Sequence, residues 1–168
     1  MIILGIDPGL ATVGWGVLDY RNNRFTTLAM GAILTPAHTP IEERLCSIYQ
    51  QLGDLIDLYH PDEAAVEELF FNTNTTTGIA VAEARGVLLL CARQKGLEIF
   101  EYTPLQVKQA VVGYGRAEKK QVIEMTRLIL NLRQAPKPDD TADALAIAIC
   151  HAHTGRSRLK QYFNQKSN

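Results

Sequence analysis

Six acidic residues stand where a short chain could gather them. Asp7 ends the apolar run at residues 2–6 and is followed by Pro8-Gly9. Glu67 and Glu68 interrupt a second apolar stretch, 63–69, and Asp139, Asp140 and Asp143 open the last helical segment. Each has an ordinary reading alone: an Asp before Pro-Gly is a turn residue, an Asp at a helix start is an N-cap, and a Glu in a strand faces water. Together they carry more. If the first and fourth strands are parallel neighbours, Asp7 and one of the glutamates lie side by side. Asp140 and Asp143, three apart, share a helix face, and Asp139 and Asp143, four apart, also do; spacing alone leaves that register open. Four carboxylates in one cavity repel and do not stay ionised without cations. Hard oxygen donors without Cys or paired His select Mg²⁺ or Mn²⁺, and two such ions clamp the attacking and leaving oxygens of a phosphodiester.

The charge distribution points the same way. The 168 residues have a net charge of −1, but residues 1–79 sum to −7, residues 80–137 to +5 and residues 138–168 to +1. A basic middle on an otherwise acidic chain suggests a localised anion-binding face. An acidic cavity with a basic flank reads as metal-dependent phosphoryl chemistry on a polyanion. Other classes drop out. The three serines, Ser47, Ser157 and Ser167, lie outside any GxSxG elbow, against a serine hydrolase. Cys46, Cys91 and Cys150 are sparse, odd in number and form no CxxC, against a disulfide framework or structural zinc and in favour of a reducing cytosol. No apolar run approaches the roughly 18 residues of a membrane span, and residues 2–6 lack the preceding basic stretch of a signal peptide. Cys150-His151-Ala152-His153 looks like a metal cluster but, at a helix C-terminus, reads as surface histidines.

The elements that must position the acids follow from periodicity. Residues 2–6, 13–19 and 24–34 read as strands, the last two joined at Tyr20-Arg21-Asn22-Asn23. A helix opens at Pro40-Ile41 with acids in its first turn and ends before Pro61. Residues 63–69 form a fourth strand, 78–95 a long helix stopped by Gly96, and 97–102 a fifth strand. Short helices follow over 103–112 and 118–132, and a last helix spans 139–152. The expected fold is α/β: a mixed sheet flanked by helices. The 78–95 helix is apolar around most of its circumference and is expected to be buried on two sides.

The residues that carry a resemblance run through nearly the whole chain. They are Gly5-Ile6-Asp7-Pro8-Gly9-Leu10 with Thr12, Gly14 and Trp15-Gly16; Val66-Glu67-Glu68-Leu69-Phe70; Ala84-Arg85-Gly86-Val87; Tyr102-Thr103-Pro104 with Val107-Lys108; Val112-Gly113-Tyr114-Gly115 with Ala117-Glu118-Lys119; and Asp140-Thr141-Ala142-Asp143-Ala144-Leu145-Ala146. In that order the chain resembles the RuvC family of bacterial Holliday-junction resolvases, in the ribonuclease-H-like superfamily. The resemblance implies a ribonuclease-H-like nuclease domain over 1–153, with three antiparallel and two parallel strands, and a flexible, polar, basic tail over 154–168. It implies an endodeoxyribonuclease that nicks two strands of like polarity symmetrically in a four-way junction, leaving 5′-phosphate and 3′-hydroxyl ends, in recombination and repair. It selects Asp7, Glu67, Asp140 and Asp143 as ligands of two Mg²⁺ ions, with Mn²⁺ able to substitute, and leaves Glu68 and Asp139 as bystanders. It puts Lys108 and Lys119 at the active site and Phe70 at the junction centre against exposed bases. Phe71, Asn72, Arg85, Arg116 and Lys120 are expected on the DNA-binding face. A homodimer, the branch-migration proteins RuvA and RuvB, no membrane contact and a bacterial cytoplasm complete the expectation. The rivals are an RNA-processing nuclease of the same superfamily and a junction-binding protein without catalysis; four acids near DNA weaken the second unless metals repay them.

Overall fold

The structure is a computed structural model; it describes residues 1–68 and 75–166, with the backbone alone for 75–77 and 155–166. The chain order is β1 (Ile2–Asp7), β2 (Thr12–Arg21), β3 (Arg24–Leu34), α1 (Ile41–Tyr59), β4 (Glu63–Glu67), α2 (Thr75–Gln94), β5 (Glu98–Tyr102), α3 (Pro104–Val112), α4 (Lys119–Ile129) and α5 (Asp139–Lys166). The strands form one sheet in the order β3-β2-β1-β4-β5. β1, β2 and β3 are antiparallel, whereas β4 pairs parallel to β1 and β5 parallel to β4. This is the mixed sheet expected from the sequence.

Local chemistry explains the connections. Asn22 and Asn23 take φ of 52° and 60° between β2 and β3, the two-residue left-handed turn that matches strand twist. His60 ends α1 in the left-handed conformation, its N–H donating to the Ile56 carbonyl, and Pro61 prevents continuation. Thr103 and Gln106 cap α3 reciprocally, each side chain accepting from the other's backbone N–H. The boundaries of α2 and α5 are among those that differ from expectation. α2 begins at Thr75, because the Thr-rich segment read as a loop or cap supplies its first turn. α5 continues past Ala152 to Lys166; Gly155 and the polar composition that suggested fraying do not stop it.

The alternation along each strand divides the core. Ile3, Leu18 and Ala65 pack on one face of the sheet with Val107, Val122, Leu145 and Ile149 of the α3, α4 and α5 layer. Leu4, Ile6, Val17 and Val66 pack on the other with Ile48, Leu52 and Ile56 of α1 and Ala84 and Leu88 of α2. α5 lies unusually close to β1 and β2. A Cβ on Gly5 would stand 2.1 Å from the Ala144 carbonyl oxygen, and one on Gly14 would stand 1.9 Å from that of Asp140. The helix also presents small side chains there, Ala144 and Ala148 among them. Thr141 adds a hydrogen bond of 3.0 Å to the Gly31 carbonyl of β3.

Gly14→Ala should therefore push α5 from the sheet. Overpacking of this kind costs about 1–3 kcal/mol, read as a lower urea midpoint with unchanged slope. A variant as stable as the parent would show that the helix can shift without strain.

Candidate active site

The sheet brings the first two acids together. Ile6 of β1 stands opposite Val66 of β4, so the next residues, Asp7 and Glu67, end side by side at the C-terminal ends of parallel strands. Both belong to the alternate positions that face α5. On its other flank Asp7 pairs with Gly14 of β2, and the start of α5 rests on Gly14 through Asp140. Asp143 follows one turn later. Asp7, Glu67, Asp140 and Asp143 are all half-buried, whereas Glu68 and Asp139 are exposed. The register that spacing left open is thus set by which acids the helix turns inward.

These carboxylates act on one another. Burial, then the fields of Glu67, Asp143 and Asp140, push the Asp7 carboxyl up to about 8, against an opposing pull from Lys119. Burial and then Asp143 raise Glu67. Burial raises Asp143, opposed by its hydrogen bond with Lys119. Lys119 opens α4, where the helix dipole disfavours a cation; the acids hold it there. Its ammonium lies 2.9 Å from Asp143 Oδ2 and 3.8 Å from Asp139 Oδ2. Partial burial disfavours that charge, but the bond to Asp143 and the fields of Asp143, Asp139 and Asp140 outweigh it and raise its pKa.

Among the described residues no three His, Cys, Asp or Glu side chains are already drawn together tightly enough to hold an ion. The donor set nonetheless fits a hard divalent cation. The ligands are carboxylate oxygens, their charge is crowded enough to hold Asp7 protonated near neutrality, and Lys119 meets only part of the demand for positive charge.

The other predicted residues divide. Arg116 and Lys120 are exposed and Lys108 on α3 is half-buried. Arg85 turns inward: its guanidinium pairs with Glu101 at 2.6 Å and its Nε donates to the Glu67 carbonyl at 3.4 Å. These contacts brace the end of β4. Phe70, Phe71 and Asn72 lie outside the described residues. His151, expected at the surface, is fully buried; its Nδ1 meets the Tyr102 hydroxyl at 2.7 Å and its Nε2 meets Glu63 Oε2 at 2.5 Å. His153 is exposed as expected, its ring edge-on to Phe25.

Comparison with known proteins adds independent findings. The family model described as crossover junction endodeoxyribonuclease RuvC matches residues 3–151. A protein of that name from Alkaliphilus metalliredigens (strain QYMF) is 61% identical over 155 residues, 92% of this chain and 94% of the relative. One from Clostridioides difficile (strain 630) is 54% identical over 93% of this chain and 92% of its own. The solved structure of Thermus thermophilus RuvC in complex with a Holliday junction substrate superposes with a TM-score of 0.89 at 37% identity, covering 94% of this chain and 96% of that one.

The electrostatics predict a pH dependence. Asp7 keeps its proton to about 8 when folded and loses it near 3.8 when unfolded. The folded state holds the extra proton between those values, so metal-free stability falls as pH rises through that window. Asp7→Asn removes its share of the slope and leaves that of Glu67 and Asp143. In EDTA at about pH 8 the variant should be the more stable by over ~1 kcal/mol, the worth of one pKa unit, with the gap closing towards about pH 4. Parallel stability curves would show that Asp7 is not under this strain.

Proposed function

The chain belongs to the RuvC family of crossover junction endodeoxyribonucleases, and on that premise we propose that it resolves four-way DNA junctions by hydrolysis at Asp7, Glu67, Asp140 and Asp143. The observation that supports this reading best is the half-burial of these four carboxylates and no others of the six, at the ends of β1 and β4 and the start of α5.

The four would hold divalent metal, Mg²⁺ or Mn²⁺, as two ions per site with Asp7 at the centre of the set. Bound there, the metal supplies Lewis acidity and a nucleophilic water at neutral pH. The chain's own residues do the rest. Asp7 and Glu67 are fixed by strand backbone and cannot drift apart. Asp140 and Asp143 ride on a helix packed against bare glycine backbone, so their position is equally stiff. Lys119, already drawn to this cluster, and Lys108 hold the scissile phosphate and offset charge that develops on it. The products are a 5′-phosphate and a 3′-hydroxyl, which a ligase can rejoin.

Two symmetric cuts require two such sites. α2 buries Ala84, Leu88 and Cys91 against the sheet while Ile79 and Leu90 stand 59% and 54% exposed on its outside. A second copy covering that face gives a two-fold dimer that matches a two-fold junction. RuvA and RuvB as partners, a cytoplasmic location and a nuclease domain over 1–153 belong to the same reading through the family. No helix among the described residues is long and apolar enough to cross a membrane.

A labelled synthetic junction, a linear duplex and an RNA hairpin, each with Mg²⁺ and with EDTA, test the function. Paired, ligatable, metal-dependent nicks in the junction alone are expected. RNA cleavage would move the protein to the processing nucleases, and binding without nicks to the structural proteins. Asp7→Asn should abolish cutting and keep junction binding; loss of both together would break that division of labour. Lys119→Ala should slow cutting about 10²–10³-fold, as for removal of a charge-stabilising donor. Leu90→Glu should elute as a monomer that no longer makes paired nicks.

A further inference from the structure

His151 is a fully buried titratable group of α5 that the reaction does not use, and it joins three elements. Its Nε2 meets Glu63 at the start of β4, its Nδ1 meets the Tyr102 hydroxyl at the end of β5, and its ring packs on Phe100 with centroids 4.6 Å apart. Tyr102 is itself fully buried and stands opposite Glu67 in the sheet. Glu63 lies four residues before Glu67 on one strand, and His151 lies eight after Asp143 on one helix. At about 3.3 Å per strand residue and about 1.5 Å per helix residue those separations are both on the order of 12–13 Å. β4 and α5 run in opposite directions, so they form two rails joined at one end by the carboxylates and at the other by His151 and Glu63.

The Thr141 bond to the Gly31 carbonyl ties the start of α5 to β3; the His151 network ties the helix to β4 and β5. The glycine floor under α5 belongs to β1 and β2, where it meets Ala144, Ala148 and Leu145; β4, which carries Glu67, has no glycine and meets the helix beside that floor. A directional, buried hydrogen bond has one register. We propose that His151, held between Glu63 and Tyr102, is a positioning residue that sets the register of α5 along β4, and through it the separation of Asp140 and Asp143 from Asp7 and Glu67. The network thereby tunes how tightly the site takes a divalent cation. This rests on the reading of those four acids as metal ligands.

The test measures Mn²⁺ binding to the DNA-free protein by calorimetry, beside the metal dependence of junction cleavage. Tyr102→Phe removes one hydroxyl, and Glu63→Ala acts at the partly exposed end of the network, so both are compatible with folding even if His151 substitutions are not. Each should raise the Mn²⁺ concentration for half-saturation about tenfold, the lower end of what supporting hydrogen bonds contribute to metal sites. Junction affinity in EDTA should be unchanged, and cleavage should recover at high metal. Glu63→Gln, which retains an acceptor, should restore most of the affinity. Wild-type Mn²⁺ affinity in folded Tyr102→Phe and Glu63→Ala, whatever their melting temperatures, would overturn the proposal and leave the network a staple. Asp7→Asn separates the two readings: if it still binds Mn²⁺ like the parent, the ligand assignment itself fails.

Discussion

The contact between α5 and the bare backbone of β1 and β2 governs everything at the site. A side chain at Gly5 or Gly14 would hold the helix off the sheet, and the acids near its start would then stand farther from Asp7 and Glu67. Closeness here is obtained at the expense of bulk. An alanine facing a glycine buries little apolar surface, and each missing CH₂ forgoes about 0.8 kcal/mol. The compensation lies to either side, where Leu145, Ile147 and Ile149 of the same helix are fully buried and the opposite face of the sheet is filled by Ile48, Leu52 and Leu88. Stability is carried by the flanks so that the centre can stay thin.

That thin centre is also where charge is most crowded. Three of the four acids are pushed towards protonation, first by burial and then by their neighbours. Lys119 relieves part of this, from a helix position that its own dipole opposes. The Arg85 guanidinium steadies the strand end from outside, through the Glu67 carbonyl and Glu101. A neutral residue in place of Asp7 would relieve this crowding, so at Asp7 the local rules of stability are broken.

Much of this was legible in the residues. Tight turns and β-branched alternation announced the β1–β3 meander, and strands alternating with helices announced the parallel half. The four acids were visible as a set, but their register was not: whether α5 turns Asp139 or Asp140 inward depends on how the helix sits on Gly14, a tertiary contact that spacing does not encode. The partner of Arg85 was not legible, because an arginine in a helix looks free until Glu101, on a distant strand, is seen next to it. His151 was misjudged for the same reason. At the C-terminal end of the predicted helix it looked exposed, yet α5 runs on to Lys166 and the histidine sits in mid-helix, over β4 and β5.

The order of these elements along the chain has a consequence for the protein's birth. Asp7 is made almost first, on β1, and Asp140 and Asp143 almost last, on α5. Translation proceeds from the N-terminus at about 5–20 residues per second, so for most of its synthesis the growing polypeptide carries half a site. A prematurely terminated product, or one clipped before α5, has all five strands in its sequence but lacks the acids that complete the set and the helix that fills one face of the core. Damage and incomplete synthesis before α5 therefore yield fragments without Asp140 and Asp143, and so without the acid cluster to which the cutting is assigned.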